Sequence, residues 1–240
     1  MQLPHRKHLL NLTLSKWFYL ILFICIFILI NIRQSKIDNY GCEICADKAG
    51  YFMYLPAVFH LGFRADAYPE GFHEKHGKSI IIDRENNKVI TKYTSGMALL
   101  WAPFYGLGAI IARVFSLEVE PYSNYYLFFV NIGAAFFAVL GLFFFRKWLE
   151  FSVDTTSSLI TMMVVFIGTH LYYYTLDESL MSHMYGFSLF AISLYSVKSY
   201  LNVRKFKFFL LFSLSISLAI SIRPTNVLFI LIILLLDVNC

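Results

Sequence analysis

Six apolar runs, at 17–32, 125–145, 159–174, 184–197, 208–222 and 227–236, limit what this chain can fold into before any motif is read. A helix that crosses a bilayer needs about 20 mostly apolar residues, and its amides must find their partners within the helix because hydrocarbon offers none. Several runs are shorter, so tilt or local bilayer thinning goes with them. Of the 240 residues, 58% are hydrophobic, against roughly 45–50% in soluble domains. These features imply an all-α integral membrane fold, a multi-spanning helical bundle of about six spanning helices.

The formal net charge of +5 raises nucleic acid as a partner, but the cations sit at the ends of apolar runs and form no patch on a soluble face. Topology accounts for them instead. The leader 1–16 carries Arg6, Lys7 and Lys16, and no small-x-small cleavage site follows Ile32, so the first run reads as a retained signal anchor with a cytoplasmic N-terminus. Arg146 and Lys147 then belong inside, Asp177 and Glu178 outside, and Lys198, Arg204, Lys205 and Lys207 inside again under the positive-inside bias. This alternation requires that 97–115, with Pro103, Gly106, Gly108 and Arg113, be an interfacial or re-entrant helix on the outer face.

Four segments follow: a basic leader at 1–16, a first transmembrane helix at 17–32, an external loop domain at 33–123, and helices two to six at 124–240. Within the external domain, 78–83 and 88–93 flank Arg84, Glu85, Asn86 and Asn87 and read as a short β-hairpin. The aromatic stretch 51–59 reads as a helix along the membrane surface.

Asp47 follows the first span, where its carboxylate is either a catalytic base or a solvated or helix-capping residue. Arg223 lies in Ile222-Arg223-Pro224-Thr225-Asn226 on the outer side, against the positive-inside bias. It is either a phosphate ligand or a side chain that snorkels to head groups. Asp177, Glu178, Ser182 and His183 share that side, as the lining of a common cavity or as a hydrated loop. Their spacing is not that of metal ligands on a helix, and the other histidines form no ligand set, so no metal and no cofactor is implied. Cys42 and Cys45 form one C-x-x-C without a second, an incidental pair or a redox site; Cys25 lies in the first helix. No nucleotide-binding loop is present.

Three stretches resemble the amino-terminal half of bacterial membrane glycosyltransferases of the GT-C superfamily, which includes protein O-mannosyltransferases and the lipid A aminoarabinose transferase. They are Asp47-Lys48-Ala49-Gly50-Tyr51 with Tyr54-Leu55-Pro56, the segment 92–104 beginning Lys92-Tyr93-Thr94-Ser95-Gly96, and Ile222-Arg223-Pro224-Thr225-Asn226. Met181-Ser182-His183 is similar to a fourth. The resemblance implies sugar transfer, hexosyl or pentosyl, from a polyprenyl-phosphate donor to an acceptor on the outer face of a bacterial inner membrane. It implies Asp47 as catalytic residue and Lys48, Tyr51, Tyr54, Lys92, Tyr93, Glu178, His183 and Arg223 as substrate-binding residues, with membrane lipids around them. Relatives often carry two adjacent acids where this chain has Asp47-Lys48, which leaves Glu43 or an acid elsewhere as any second carboxylate. They also have further spanning helices, whereas this sequence stops at Cys240 after an apolar run. The alternatives are an inactive truncated transferase, a lipid or solute transporter with Asn131 and His170 as mid-membrane polar groups, and a membrane-tethered thiol redox protein.

Overall fold

A computed structural model describes residues 4–37 and 43–236, without the side chains of 4–16, 35–37, 73–74 and 234–236. In chain order the helices and strands are α1 (Pro4–Ile37), α2 (Asp47–Phe52), α3 (Tyr54–Pro56), α4 (Phe72–His76), β1 (Ile80–Asp83), β2 (Lys88–Thr91), α5 (Gly96–Val114) and α6 (Asn124–Leu149). They continue as α7 (Thr155–Gly168), α8 (His170–Leu176), α9 (Ser182–Val203), α10 (Phe206–Ile222) and α11 (Phe229–Leu236). Three helices are long and apolar enough to cross a membrane, or four if the bent pair α7–α8 counts as one span. The first helix begins inside the expected leader, since nothing between Pro4 and Trp17 breaks it.

α1 and α6 are antiparallel neighbours. At one end the Asn131 amide donates to Asn31 (3.2 Å) and accepts from Gln34 (3.1 Å); at the other, the rings of Tyr19 and Phe143 meet at 5.3 Å and Arg146 donates to the Tyr19 hydroxyl (3.3 Å). This pairing constrains α5. If α1 and α6 both cross, the segment between them leaves and returns on one side, and a single crossing by α5 would put the start of α6 on the wrong face. α5 is nevertheless one continuous 19-residue helix with Pro103 inside it, and by length and composition it meets the requirement for a span. It packs along the α6 half nearest the end of α1, where Gly108 lies against Phe129 and Gly133 against Phe104.

The run expected as one span at 159–174 is two helices, bent by 69°. Thr169 makes the break: its backbone is extended, and its hydroxyl donates to the Val165 carbonyl (2.7 Å) and accepts from the Leu171 amide (3.2 Å). One side chain thus caps the helix on either side of the bend. α9 and α10 form an antiparallel hairpin, with the Ser193 and Ser215 hydroxyls 2.8 Å apart. On its α6 side, α9 uses small residues: a methyl at Gly141 would lie 2.5 Å from the Ser188 oxygen, which itself bonds the Phe137 carbonyl (2.7 Å). Close approach through small and hydroxyl residues is how helices associate where hydrophobicity gives no drive.

The segment between α1 and α6 folds on the bundle rather than hanging from it. The expected hairpin is present with shorter strands, Ile80 opposite Thr91 and Asp83 opposite Lys88. Asp83 accepts from the Asn86 amide (3.1 Å), and Asn87 takes the positive φ of 50° that asparagine tolerates. The aromatic stretch corrects the expectation of a surface-lying helix. It is helical from α2 through α3 into a π-turn at Ala57–Leu61, but Tyr51, Phe52, Met53 and Leu55 are buried, and only its end, at Val58, Phe59 and His60, is exposed. Burying Phe52 alone against Trp101 and Tyr105 contributes about 2 kcal/mol on an area basis.

Candidate functional site

Asp47 opens α2. The residue before it, Ala46, has φ 50° and caps nothing with its side chain, and the Asp47 carboxylate does not turn back to cap the helix. It accepts a hydrogen bond from the Tyr93 hydroxyl. Placement in the first turn suits a negative charge, and the phenol fixes its direction.

Tyr93 is positioned from every side by residues the sequence grouped with Asp47. Its ring lies 4.7 Å from that of Tyr51, and its carbonyl accepts from the Tyr54 hydroxyl (2.7 Å). The glycine at 50 is required here, because a Cβ would fall 2.1 Å from the Tyr93 ring. The Lys92 ammonium stands 5.2 Å from the ring centroid. Burial, and then the hydrogen bond to Asp47, push the Tyr93 phenol up to about 12, so it holds its proton throughout the neutral range.

The next residue reaches the other end of the chain. The Thr94 hydroxyl donates to the Ile222 carbonyl (2.8 Å), and Gly96 lies so close to Ser221 that a Cβ would meet its backbone at 2.3 Å. Ile222 is the last residue of α10 and precedes Arg223, whose extended backbone suits the residue before a proline. Arg223 is half-buried and, among the described residues, its guanidinium has neither hydrogen bond nor ion pair. Its charge acts on the imidazole of His183, which stacks on Tyr174 at 4.1 Å.

Lys48 points away from Asp47. Its ammonium lies between Glu43 (3.3 Å) and Glu178 (3.1 Å) and is 8% exposed. Gln34 bridges Glu43 (3.5 Å) and Ser179 (3.3 Å), and Arg33 pairs with Asp177 and donates to Tyr172 (3.1 Å). The turn at 177–179 is therefore clamped to the end of α1, not a freely hydrated loop. Glu43, the candidate second carboxylate, is a counter-ion to Lys48. Asp47 has no ion pair among the described residues.

The nine site residues chosen from sequence thus lie in one connected cluster, in three groups. Tyr51, Tyr54 and Lys92 surround Tyr93, which donates to Asp47; Lys48 and Glu178 pair with each other; His183 and Arg223 lie where α9 begins and α10 ends. Thr94, Gln34, Arg33 and Glu43 complete the cluster and were not in that set. Glu43 reads in the sequence as a carboxylate near Asp47, and Thr94 as a member of the stretch that begins at Lys92, a hydroxyl next to a helix start; Gln34 and Arg33 left no such signal.

Of the residues held as signs of other functions, Asn131 borders this cluster and the rest lie elsewhere. Asn131 is consumed by Asn31 and Gln34 at the end of α1, and His170 is exposed at the α7–α8 bend. Cys25 is exposed on α1 with a free thiol, and Cys45 is disulfide-bonded; Cys42 lies outside the described residues. Behind Cys45, the His76 imidazole bonds the Ile44 carbonyl (2.8 Å), and burial lowers its pKa. No protein-family model, curated protein or solved structure matches the chain.

Proposed function

We propose that the chain is a membrane glycosyltransferase of the GT-C type, acting on a polyprenyl-phosphate sugar at the outer face of a bacterial inner membrane. In this reading six helical passes alternate through the bilayer: α1, α6, the bent pair α7–α8, α9, α10 and α11. One observation carries it. A carboxylate and a guanidinium that form no ion pair among the described residues stand at the two ends of one short link: Tyr93 bonds Asp47, and Thr94 bonds Ile222 next to Arg223.

Those two charges suit the two halves of a transfer. The Asp47 carboxylate takes the proton of an acceptor hydroxyl as its oxygen attacks the anomeric carbon. The bond from that carbon to the phosphate oxygen breaks with inversion, and the departing phosphate gains charge that Arg223 offsets through a fork of N–H donors. Tyr93 keeps its proton and orients the base. His183 stands beside the phosphate as a hydrogen-bonding group, and Lys92 borders the opening.

The test uses right-side-out membrane vesicles containing the full chain, supplied with polyprenyl-phosphate hexose or pentose labelled in the sugar. The readouts are label on membrane acceptors and release of polyprenyl phosphate. Asp47→Asn is expected to lower both by about 10²–10⁴-fold with insertion unchanged. Equal transfer by that variant, or no transfer by the wild type with any donor, overturns the reading. The bend at Thr169 favours transport as a second reading, since broken helices line carrier sites. Substrate accumulation in sealed vesicles without label on any acceptor would select it.

A further inference from the structure

A cavity of about 560 Å³ lies between the π-turn, the C-terminal half of α5 and the loop after it, and takes no part in the site above. Phe59, Ile110 and Leu117 form its apolar walls, while His60, Arg113, Glu118 and Tyr126 supply the polar lining. Its size is that of a site for a small molecule or part of a lipid.

Tyr126 is the informative member. It is 1% exposed, with its ring stacked on Tyr105 at 4.3 Å and 5.2 Å from His60. Its hydroxyl nonetheless has no hydrogen-bond partner among the described residues. The ring is packed away while the hydroxyl opens onto the cavity, where it is available to donate to a ligand. Arg113 and Glu118 are exposed, and neither forms an ion pair among the described residues. The cavity therefore offers one cation, one anion and a hydroxyl donor.

Its surroundings are not those of a protein face in water. Val58, Ile110, Val114 and Phe115 are 67%, 63%, 71% and 70% exposed, a concentration of apolar surface that marks contact with membrane or protein. Its height is fixed by α6. The apolar span of α1 ends at Gln34, which bonds Asn131, and Tyr126 lies about 7 Å further along α6 at 1.5 Å per residue. That offset falls within the head-group layer, which adds roughly 5–8 Å to each side of the hydrocarbon.

We propose that this cavity binds a phospholipid whose zwitterionic head group carries a primary ammonium. Its phosphate meets Arg113 and the Tyr126 hydroxyl, its ammonium meets Glu118, and its acyl chains lie over Ile110, Val114 and Phe115. The proposal rests on the chain being embedded in a membrane and not on sugar transfer.

Native mass spectrometry of the purified full chain tests it, with dioleoyl phosphatidylethanolamine, phosphatidylglycerol and phosphatidylcholine added at equal concentration. The wild type is expected to retain the ethanolamine lipid several-fold over the others. Glu118→Gln should abolish that preference while phosphatidylglycerol retention stays within twofold, and Arg113→Gln should weaken all three by about tenfold, the scale of one charged hydrogen bond. Tyr126→Phe removes only the hydroxyl and should weaken the ethanolamine lipid with no change in thermal stability. Equal retention of the three lipids by the wild type, or a preference unchanged in both charge variants, overturns the proposal. Free phosphoethanolamine competing as well as the lipid would also refute it, by showing that the apolar walls contribute nothing. Because the readout is binding, loss of the transferase reading would leave these results intact.

Discussion

Replacing Lys48 by Met should destabilise the protein by about 3 kcal/mol, and the cost should come almost wholly from Glu43. Removing one partner of a buried ion pair costs about 3–5 kcal/mol, because the charge left behind is uncompensated. Here one ammonium serves two carboxylates, at 3.3 Å and 3.1 Å, and their side chains differ in access to water: 3% exposed for Glu43 and 27% for Glu178. Glu178 can rehydrate by a small movement, so its share is that of a surface pair, under about 1 kcal/mol. Glu43 cannot rehydrate in that way, so the larger share of the cost falls on it. A methionine fills the volume of the lysine stem, which keeps a cavity term out of the difference.

The assay is reversible unfolding in mixed detergent micelles, followed by tryptophan fluorescence, with thermal melting as a second readout. A loss of about 3 kcal/mol corresponds to a fall of roughly 6–12 °C in melting temperature for a chain of this size. The double variant Glu43→Gln/Lys48→Met should recover more than half of that, and Glu178→Gln/Lys48→Met little. If Lys48→Met costs under 1 kcal/mol, or if the two double variants recover equally, the assignment of Glu43 as the buried charge is wrong.

Gly96→Ala should cost about 1–3 kcal/mol, as overpacking does, because the new methyl meets the Ser221 backbone at 2.3 Å and no rotamer can relieve it. A melting temperature within a degree of wild type would show that α5 and α10 are looser than described. Tyr93 links stability to alkaline pH: its pKa is 10.0 in the unfolded chain and about 12 in the fold. The native state therefore holds the proton longer, and this contribution is complete below pH 10 and lost as pH rises towards 12. Tyr93→Phe should flatten that part of the stability profile, and an unchanged slope between pH 10 and 11.5 would sink the assignment.

The rough positions of the apolar helices were legible because burial in lipid imposes composition directly on the sequence, but their lengths were not: about six spans were expected, and three, or four with the bent pair as one, are long and apolar enough to cross. The hairpin was legible too, since Asn86 and Asn87 are what its turn demands. The break at Thr169 was hidden: a lone threonine inside an apolar run looks like any tolerated helix residue, and it acts only once its hydroxyl bonds on both sides. α5 satisfied two patterns at once, the composition of a span and the charge alternation of a segment that does not cross; the antiparallel packing of α1 and α6 favours the second. In the site, residue types were readable and pairings were not. The Asp47–Tyr93 and Thr94–Ile222 bonds join residues 46 and 128 positions apart, beyond any local periodicity. The resemblance put Lys48 among the substrate contacts with the rest of its stretch, yet adjacent residues on a helix do not face the same way, and Lys48 turns to Glu43 and Glu178.

The division of labour among these pairings explains why so many charged residues converge on one place. The Arg33–Asp177 and Lys48–Glu43–Glu178 contacts fasten the end of α1 and the start of α2 to the turn between α8 and α9. Every charge in these contacts has an opposite charge within reach, two cations against three carboxylates. Tyr93 and Thr94 fasten α2 to α10 without neutralising anything, since a phenol and a hydroxyl contribute hydrogen bonds and no charge. The frame is thus built from ion pairs, whereas Asp47 and Arg223 form none among the described residues: a phenol bonds Asp47, and a hydroxyl fixes the backbone next to Arg223. A fold that needed Asp47 or Arg223 only for cohesion would lose nothing by pairing them. Holding opposite charges at the ends of one short link while giving each a neutral support preserves their capacity to act on a third group placed between them.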